Sequence, residues 1–202
     1  MFVHLRLHTE FSVIDGTTRV DDVLQAAAAD GQPALAITDF NNLFGAIKFY
    51  KAARGQGVKP ILGAEVLVAG LGTDQDVPSR LVLLVQSQQG YLNLSELLAR
   101  AWTRGVVKAQ AVVQWSWLRE LAEGLIALSG AQAGPLGAAL AQGNLAQASE
   151  VALQLAEAFP HRFYLELQRA GRPDDAAQVA GAASAPACVD VARVCGGNAA
   201  FT

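Results

Sequence analysis

A chain of 202 residues that is 52% apolar and only 16% charged, with a mean hydropathy of +0.27, has enough apolar surface for one compact domain or most of a larger one. Its formal net charge is −3 and its pI about 5.6, which disfavours a module that grips nucleic-acid phosphates by itself. No apolar run approaches the ~18 residues needed to cross a bilayer, and the opening MFVHLRLH lacks the charged and apolar regions of a signal peptide.

So low a charge fraction points to a surface that meets neighbouring domains or a partner. The two cysteines, Cys188 and Cys195, form no CxxC pair, so neither a zinc site nor a disulfide framework is indicated, and a reducing cytoplasm is the expected setting.

Phe2 to His8 alternates apolar and polar residues and predicts a strand. A turn follows at Val13 to Gly16. Thr17 or Thr18 is placed to cap a helix whose stripe is Val20, Val23, Leu24 and Ala27, with Gly31 at its end. Ala34 to Thr38 is a short strand without polar alternation, of the kind parallel sheets bury, and Asp39 stands at its C-terminal end. Leu43 to Arg54 predicts a second helix, and Pro60 to Val68 a third strand. Residues 72–74 form a loop before a fourth strand at Arg80 to Val85.

Gly90 to Ala101 predicts a helix with Leu92, Leu94, Leu97 and Leu98 inside. A short helix at Trp115 to Leu121 precedes a fifth strand, Gly124 to Ser129. Leu136 to Phe159 holds two amphipathic helices parted at Gly143 and Asn144, and Arg162 to Leu167 is a sixth strand. Alternation of strand and helix without a repeat predicts a parallel α/β sheet or barrel.

Polar residues gather at strand ends: His8, Asp39, Glu65 and Arg80. In a parallel barrel those ends converge on the face where sites are built. His8, Asp15 and Glu65 are the chemical types that hold a divalent metal; structural hydrogen bonding or solvent exposure is the competing fate for each. His4 fits a strand face, His161 a loop. Trp115 and Trp117 fit packing rather than base stacking, since only Arg119 is a nearby cation. Gly55-Gln56-Gly57 lacks the Lys-Ser/Thr of a phosphate loop and reads as a turn. A triad of Ser12, His8 and Asp15 has no nucleophile elbow around the serine.

Several blocks, in order, resemble the opening of the alpha subunit of bacterial replicative DNA polymerase III. They are FVHLRLHTEFSVIDG from Phe2, PALAITDFNNLFGAIKFYKAARGQGVKPILGAE from Pro33, GYLNL from Gly90, EGLIALSG from Glu123 and FYLELQRAGRPDD from Phe163. That region is the PHP (polymerase and histidinol phosphatase) domain, so the resemblance implies a distorted parallel (β/α) barrel over residues 1–175. Residues 176–202 are then a divergent or truncated tail, which leaves the barrel incomplete at its C-terminal end. The tail reads as Ala/Gly/Cys-rich and without the family's next buried strand, as a truncated gene or a slipped frame would leave it; an open sheet edge and an aggregation-prone domain are expected to follow.

Metal-binding relatives hold a metal cluster in this domain, and some act as 3′–5′ exonucleases. The resemblance places Arg6 and His8 on the first His-x-His motif and Asp15 on its following aspartate. Phe40, Arg80 and Ala170 stand where the family has histidine, and Glu65 where it has glutamate. A guanidinium stays protonated and cannot ligate a metal, so Arg6 and Arg80 are expected to pair with Glu65 or Asp15 in a vestigial site without metal or catalytic residues. The implied role is a scaffold and docking domain within the polymerase subunit, with the remaining domains and the proofreading exonuclease subunit as partners. The palm, with its catalytic magnesium, lies outside this chain, so no polymerase activity is expected of it alone. The alternative is a metal-dependent phosphoesterase or exonuclease using His8, Asp15 and Glu65.

Overall fold

The structure, a computed structural model, describes residues 2–71, 77–168 and the backbone of 192–196. The N-terminal segment runs parallel beside the first strand, but it is not the continuous strand the alternation predicts. It makes one ladder position, His4 to Leu35. The Leu7 N–H donates to Thr38 Oγ1 (2.9 Å), and Leu7 O accepts from the Thr38 N–H (2.9 Å). The threonine side chain thus takes a donor that a strand would give to the ladder.

Helix α1 (Val20–Ala29) buries Val20, Val23, Leu24 and Ala27. Its cap differs from expectation: Arg19 holds the N-cap position with no side-chain cap, and Thr18, one residue earlier, lies in a backbone bridge to Thr9, the Thr18 carbonyl accepting the Glu10 N–H (2.8 Å). Gly31 ends the turn with φ +69°. Strand β1 (Ala34–Ile37) is buried throughout. Helix α2 (Ala46–Gly55) starts three residues later than predicted, since Asn42 Oδ1 takes the Phe44 N–H in a side-chain turn.

Strand β2 (Lys59–Ala69) is the spine. On one edge it pairs in parallel with β1 at Lys59–Leu62, touches Phe40 at Glu65, and continues in parallel with β5 (Gln110–Gln114) at Leu67–Ala69. On the other it pairs with β3 (Ser79–Val85), which is antiparallel to both β2 and β6 (Leu125–Leu128). The sheet is rich in parallel pairs, as expected, and β3 departs from them: residues 70–78 are too short a link for the crossover a parallel pair needs.

Helix α3 (Gln88–Arg104) starts earlier than predicted because Ser87 caps it, its Oγ accepting the Gly90 N–H. Leu92 is half-exposed and not inside; it lies about 200° around the helix from the buried Leu94. Strands β4 (Val106–Val107) and β5 form a hairpin that was not predicted. Its turn, Lys108 and Ala109, has positive φ without Gly or Asn, so the usual signal is missing. Helix α4 (Trp115–Glu120) leads to β6, and a 3-10 turn (Ala131–Ala133) to α5 (Pro135–Ala141) and α6 (Leu145–Ala158). The last helix is capped by Asn144, whose side chain accepts the Gln147 N–H. Strand β7 (Phe163–Gln168) is parallel to β6.

A further strand, β8 (Ala192–Gly196), pairs in parallel with β7. This corrects the expectation that the tail lacks a strand, and it moves the sheet edge from β7 to β8. The order is β4-β5-β2-β3-β6-β7-β8, with β1 off β2, and the sheet is not closed among the described residues. The boundary proposed at 175 and the position Ala170 lie outside the described residues.

Side chains alternate across this sheet with period two. One face carries Val66, Leu81, Leu83, Ala127 and Phe163 against α3 and α6. The other carries Ala36, Val82, Leu84 and Leu128, with Leu5, Ile61 and Tyr164 packed on them. Glu65, Arg80 and Glu166 belong by parity to this second face, so strand period delivers three charged residues to the end of an apolar plug.

Candidate functional site

Glu65 is fully buried, midway along β2 where its edge passes from β1 to β5. A carboxylate there needs compensation on both oxygens. Arg80 Nη1 lies 2.6 Å from Oε1, while Arg6 Nη2 (2.5 Å) and His8 Nε2 (3.1 Å) share Oε2. Burial by itself would push the Glu65 pKa up; the His8 hydrogen bond and the Arg6 charge overcome it and bring the carboxyl down to about 2.

Arg6 reaches a second carboxylate on β7, with Nη1 3.2 Å from Glu166 Oε1. Burial disfavours its charge, but Glu166 and Glu65 hold its pKa above the ordinary arginine value. Glu166 itself is steered by backbone: its N–H donates to Ser129 Oγ (2.9 Å). It was not singled out in the sequence, although it is the one charged residue that strand period puts on the inner face of β7.

His8 has a carboxylate at each ring nitrogen, Asp15 Oδ1 at 2.9 Å from Nδ1 and Glu65 Oε2 at 3.1 Å from Nε2. Burial lowers its pKa, but the hydrogen bond to Glu65 and the charges of Glu65 and Asp15 raise it above the usual value. The imidazolium, with two N–H donors, suits both neighbours. Asp15 Oδ2 also faces Arg80 Nη1 at 3.5 Å. Three cationic side chains, Arg6, His8 and Arg80, thus meet three carboxylates, Asp15, Glu65 and Glu166. Phe40, 7% exposed, completes the wall, its ring centroid 4.6 Å from Arg80 Cζ.

The structure therefore brings together Arg6, His8, Asp15, Phe40, Glu65 and Arg80. Asp39 stands apart: it is buried and accepts Thr9 N–H (2.6 Å) and Thr9 Oγ1–H (2.8 Å), and burial raises its pKa. The Ser12, His8, Asp15 triad does not form, because Ser12 Oγ donates to Asp15 (2.7 Å) and accepts the Phe40 N–H (3.0 Å). His161 lies in an exposed turn with φ +58°, and Trp115 and Trp117 pack on the large core. Among the described residues, no group of three His, Cys, Asp or Glu is arranged to hold a metal ion, and no helix is long and apolar enough to cross a membrane.

Comparison with known proteins gives a consistent result. A family model for the PHP domain matches residues 4–170. The DNA polymerase III alpha subunit of Pseudomonas aeruginosa is 47% identical over 175 residues, covering 86% of this chain, and that of Escherichia coli K12 is 46% identical over 176 residues, again 86%. The chain spans about 15% of the length of these relatives. Among solved structures, a protein of Bifidobacterium adolescentis assigned as a metal-dependent phosphoesterase superposes with a TM-score of 0.60 at 15% identity, over 96% of this chain and 86% of that one; it shares the fold.

Proposed function

Since the chain belongs to the PHP domain family, we propose that it serves as a scaffold and docking domain of the alpha subunit of the replicative DNA polymerase III, cytoplasmic, with a metal site replaced by ion pairs. The observation that carries this is the crowding of Arg6, Arg80 and His8 onto the two oxygens of Glu65. A divalent cation would need those lone pairs, and it would stand beside two guanidiniums that keep their protons. The donor set does not fit a metal. The alternative, a metal-dependent phosphoesterase or 3′–5′ exonuclease, requires His8, Asp15 and Glu65 to be released together from their present partners.

The relatives' additional length is the natural context for such a domain, and the remaining domains of that subunit and a proofreading exonuclease subunit are the proposed partners. Nucleotidyl transfer and its magnesium are assigned to those other domains. The test is metal content together with nuclease activity of the purified protein and its Arg6→His variant. The reading expects neither protein to hold stoichiometric zinc, manganese or iron or to degrade DNA, because Arg80 remains in the variant. Tightly held metal with hydrolysis by the unaltered chain would overturn it. Binding of the exonuclease subunit is measured separately, by co-purification.

A further inference from the structure

We infer that Ser12 is the positioning residue that closes the ion cluster, by holding Asp15 between His8 and Arg80. The inference rests on reading the cluster as a closed ion network, but it concerns a residue outside the positions that the resemblance places on metal ligands.

Asp15 is the exposed carboxylate of the cluster, its side chain 33% accessible against 0% for Glu65 and Glu166. Water competes for it, and its contact with Arg80 is the longest in the network at 3.5 Å. Ser12, in contrast, is fully buried. Its single hydroxyl does two things in opposite directions. It accepts the Phe40 N–H at 3.0 Å, which spends a lone pair on the backbone leaving β1. Its own proton then goes to Asp15 Oδ1 at 2.7 Å.

The serine is itself immobilised. Its N–H donates to Thr9 O, and its carbonyl accepts the N–H groups of Asp15 and Gly16. Thr9 is in turn held by Asp39 through both backbone and side chain. A rigid chain of hydrogen bonds thus runs from the buried Asp39 through Thr9 and Ser12 to Asp15. Because Ser12 occupies one direction at Oδ1, that oxygen presents its other lone pair to His8 Nδ1, and Oδ2 is turned toward Arg80. Without the hydroxyl, only the histidine and a long arginine contact would oppose hydration of Asp15.

The test reads the His8 Nδ1–H proton by NMR near pH 6, where the protonated ring donates to Asp15. In the full chain this proton should be seen downfield and slow to exchange. Ser12→Ala should lose it to fast exchange while the remaining backbone spectrum persists. Ser12→Cys keeps a side chain of similar volume with a weaker donor, and should keep the signal with a smaller downfield shift; it also serves if the alanine variant fails to fold. In an Asp15→Asn background, Ser12→Ala should produce no further change at His8. An unchanged His8 signal in Ser12→Ala or Ser12→Cys would overturn the inference. Tightly bound metal in the unaltered protein would instead overturn the reading of the cluster, so the two failures are distinguishable.

Discussion

The ring of Phe40 faces the guanidinium of Arg80, with 4.6 Å between Cζ and the ring centroid. The contact joins two positions far apart in sequence, one just past β1 and one near the start of β3. It gives the arginine an electron-rich wall on one side while Glu65 and Asp15 take its N–H groups. Phe40 also packs with Leu67 and Val112, so it serves the core as well as the charge. Phe40→Ala is expected to cost about 3 kcal/mol or more in urea denaturation. A double-mutant cycle with Arg80→Gln should isolate a coupling of about 1 kcal/mol; additivity of the two substitutions would show that the stack contributes only packing.

Arg6 answers two buried carboxylates, Glu65 and Glu166, so its removal weakens the compensation of both. Arg6→Leu is expected to destabilise the protein by about 3–5 kcal/mol. The double variant Arg6→Leu/Glu166→Leu should recover part of that loss, since Glu65 keeps Arg80 and His8. Equilibrium unfolding of the three proteins checks this, and a double variant no more stable than Arg6→Leu would contradict it.

Much of this arrangement was legible in the chain. Wholly apolar Ala34–Ile37 and the stripe Val20, Val23, Leu24 and Ala27 declare a buried strand and an amphipathic helix, and arginines among metal-type positions declare a need for carboxylate partners. What stayed hidden depends on tertiary context. The 70–78 link makes β3 antiparallel, a fact about reach rather than propensity. The Lys108-Ala109 turn adopts positive φ without the residues that usually announce it. Thr18 is held in a backbone bridge to Thr9 rather than at a helix cap, and the Thr38 hydroxyl takes the Leu7 N–H that a ladder would use. Glu166 becomes a site residue only once β7 is set opposite Arg6.

Gly16 follows Asp15 directly and sits against the start of its own loop. A methyl group there would overlap the Thr9 carbonyl oxygen and crowd Ser12 Cβ. The obstacle is close approach, since the oxygen belongs to backbone tied to Thr18 and Asp39 and cannot easily retreat. Gly16→Ala should therefore displace Asp15 and cost about 1–3 kcal/mol. Gly55, with open space around its Cβ direction, supplies the control: Gly55→Ala should change stability by less than about 1 kcal/mol. Equal effects at the two glycines, measured by thermal unfolding, would rule out the steric account.

Acid and base should unlock the cluster from opposite sides. Glu65 has a folded pKa of about 2 against 4.5 for the free group. Its contribution is present above pH 4.5 and is lost as pH falls through about 2. The interval corresponds to roughly 3 kcal/mol. His8 is shifted the other way, above 6.5. Its contribution is complete below pH 6.5 and is lost as pH rises through the raised folded value. These two groups together favour the native state most between about pH 4.5 and 6.5, where the histidine is protonated and the glutamate ionised. Urea unfolding as a function of pH should show falling stability on both sides of that window. Glu65→Gln should be less stable within it and show a shallower acid limb, and His8→Gln should flatten the alkaline limb. A stability profile of the unaltered chain that keeps rising from pH 6.5 to 8.5 would mean that the neutral ring suits the site better than the imidazolium, and that Asp15 and Glu65 do not govern it.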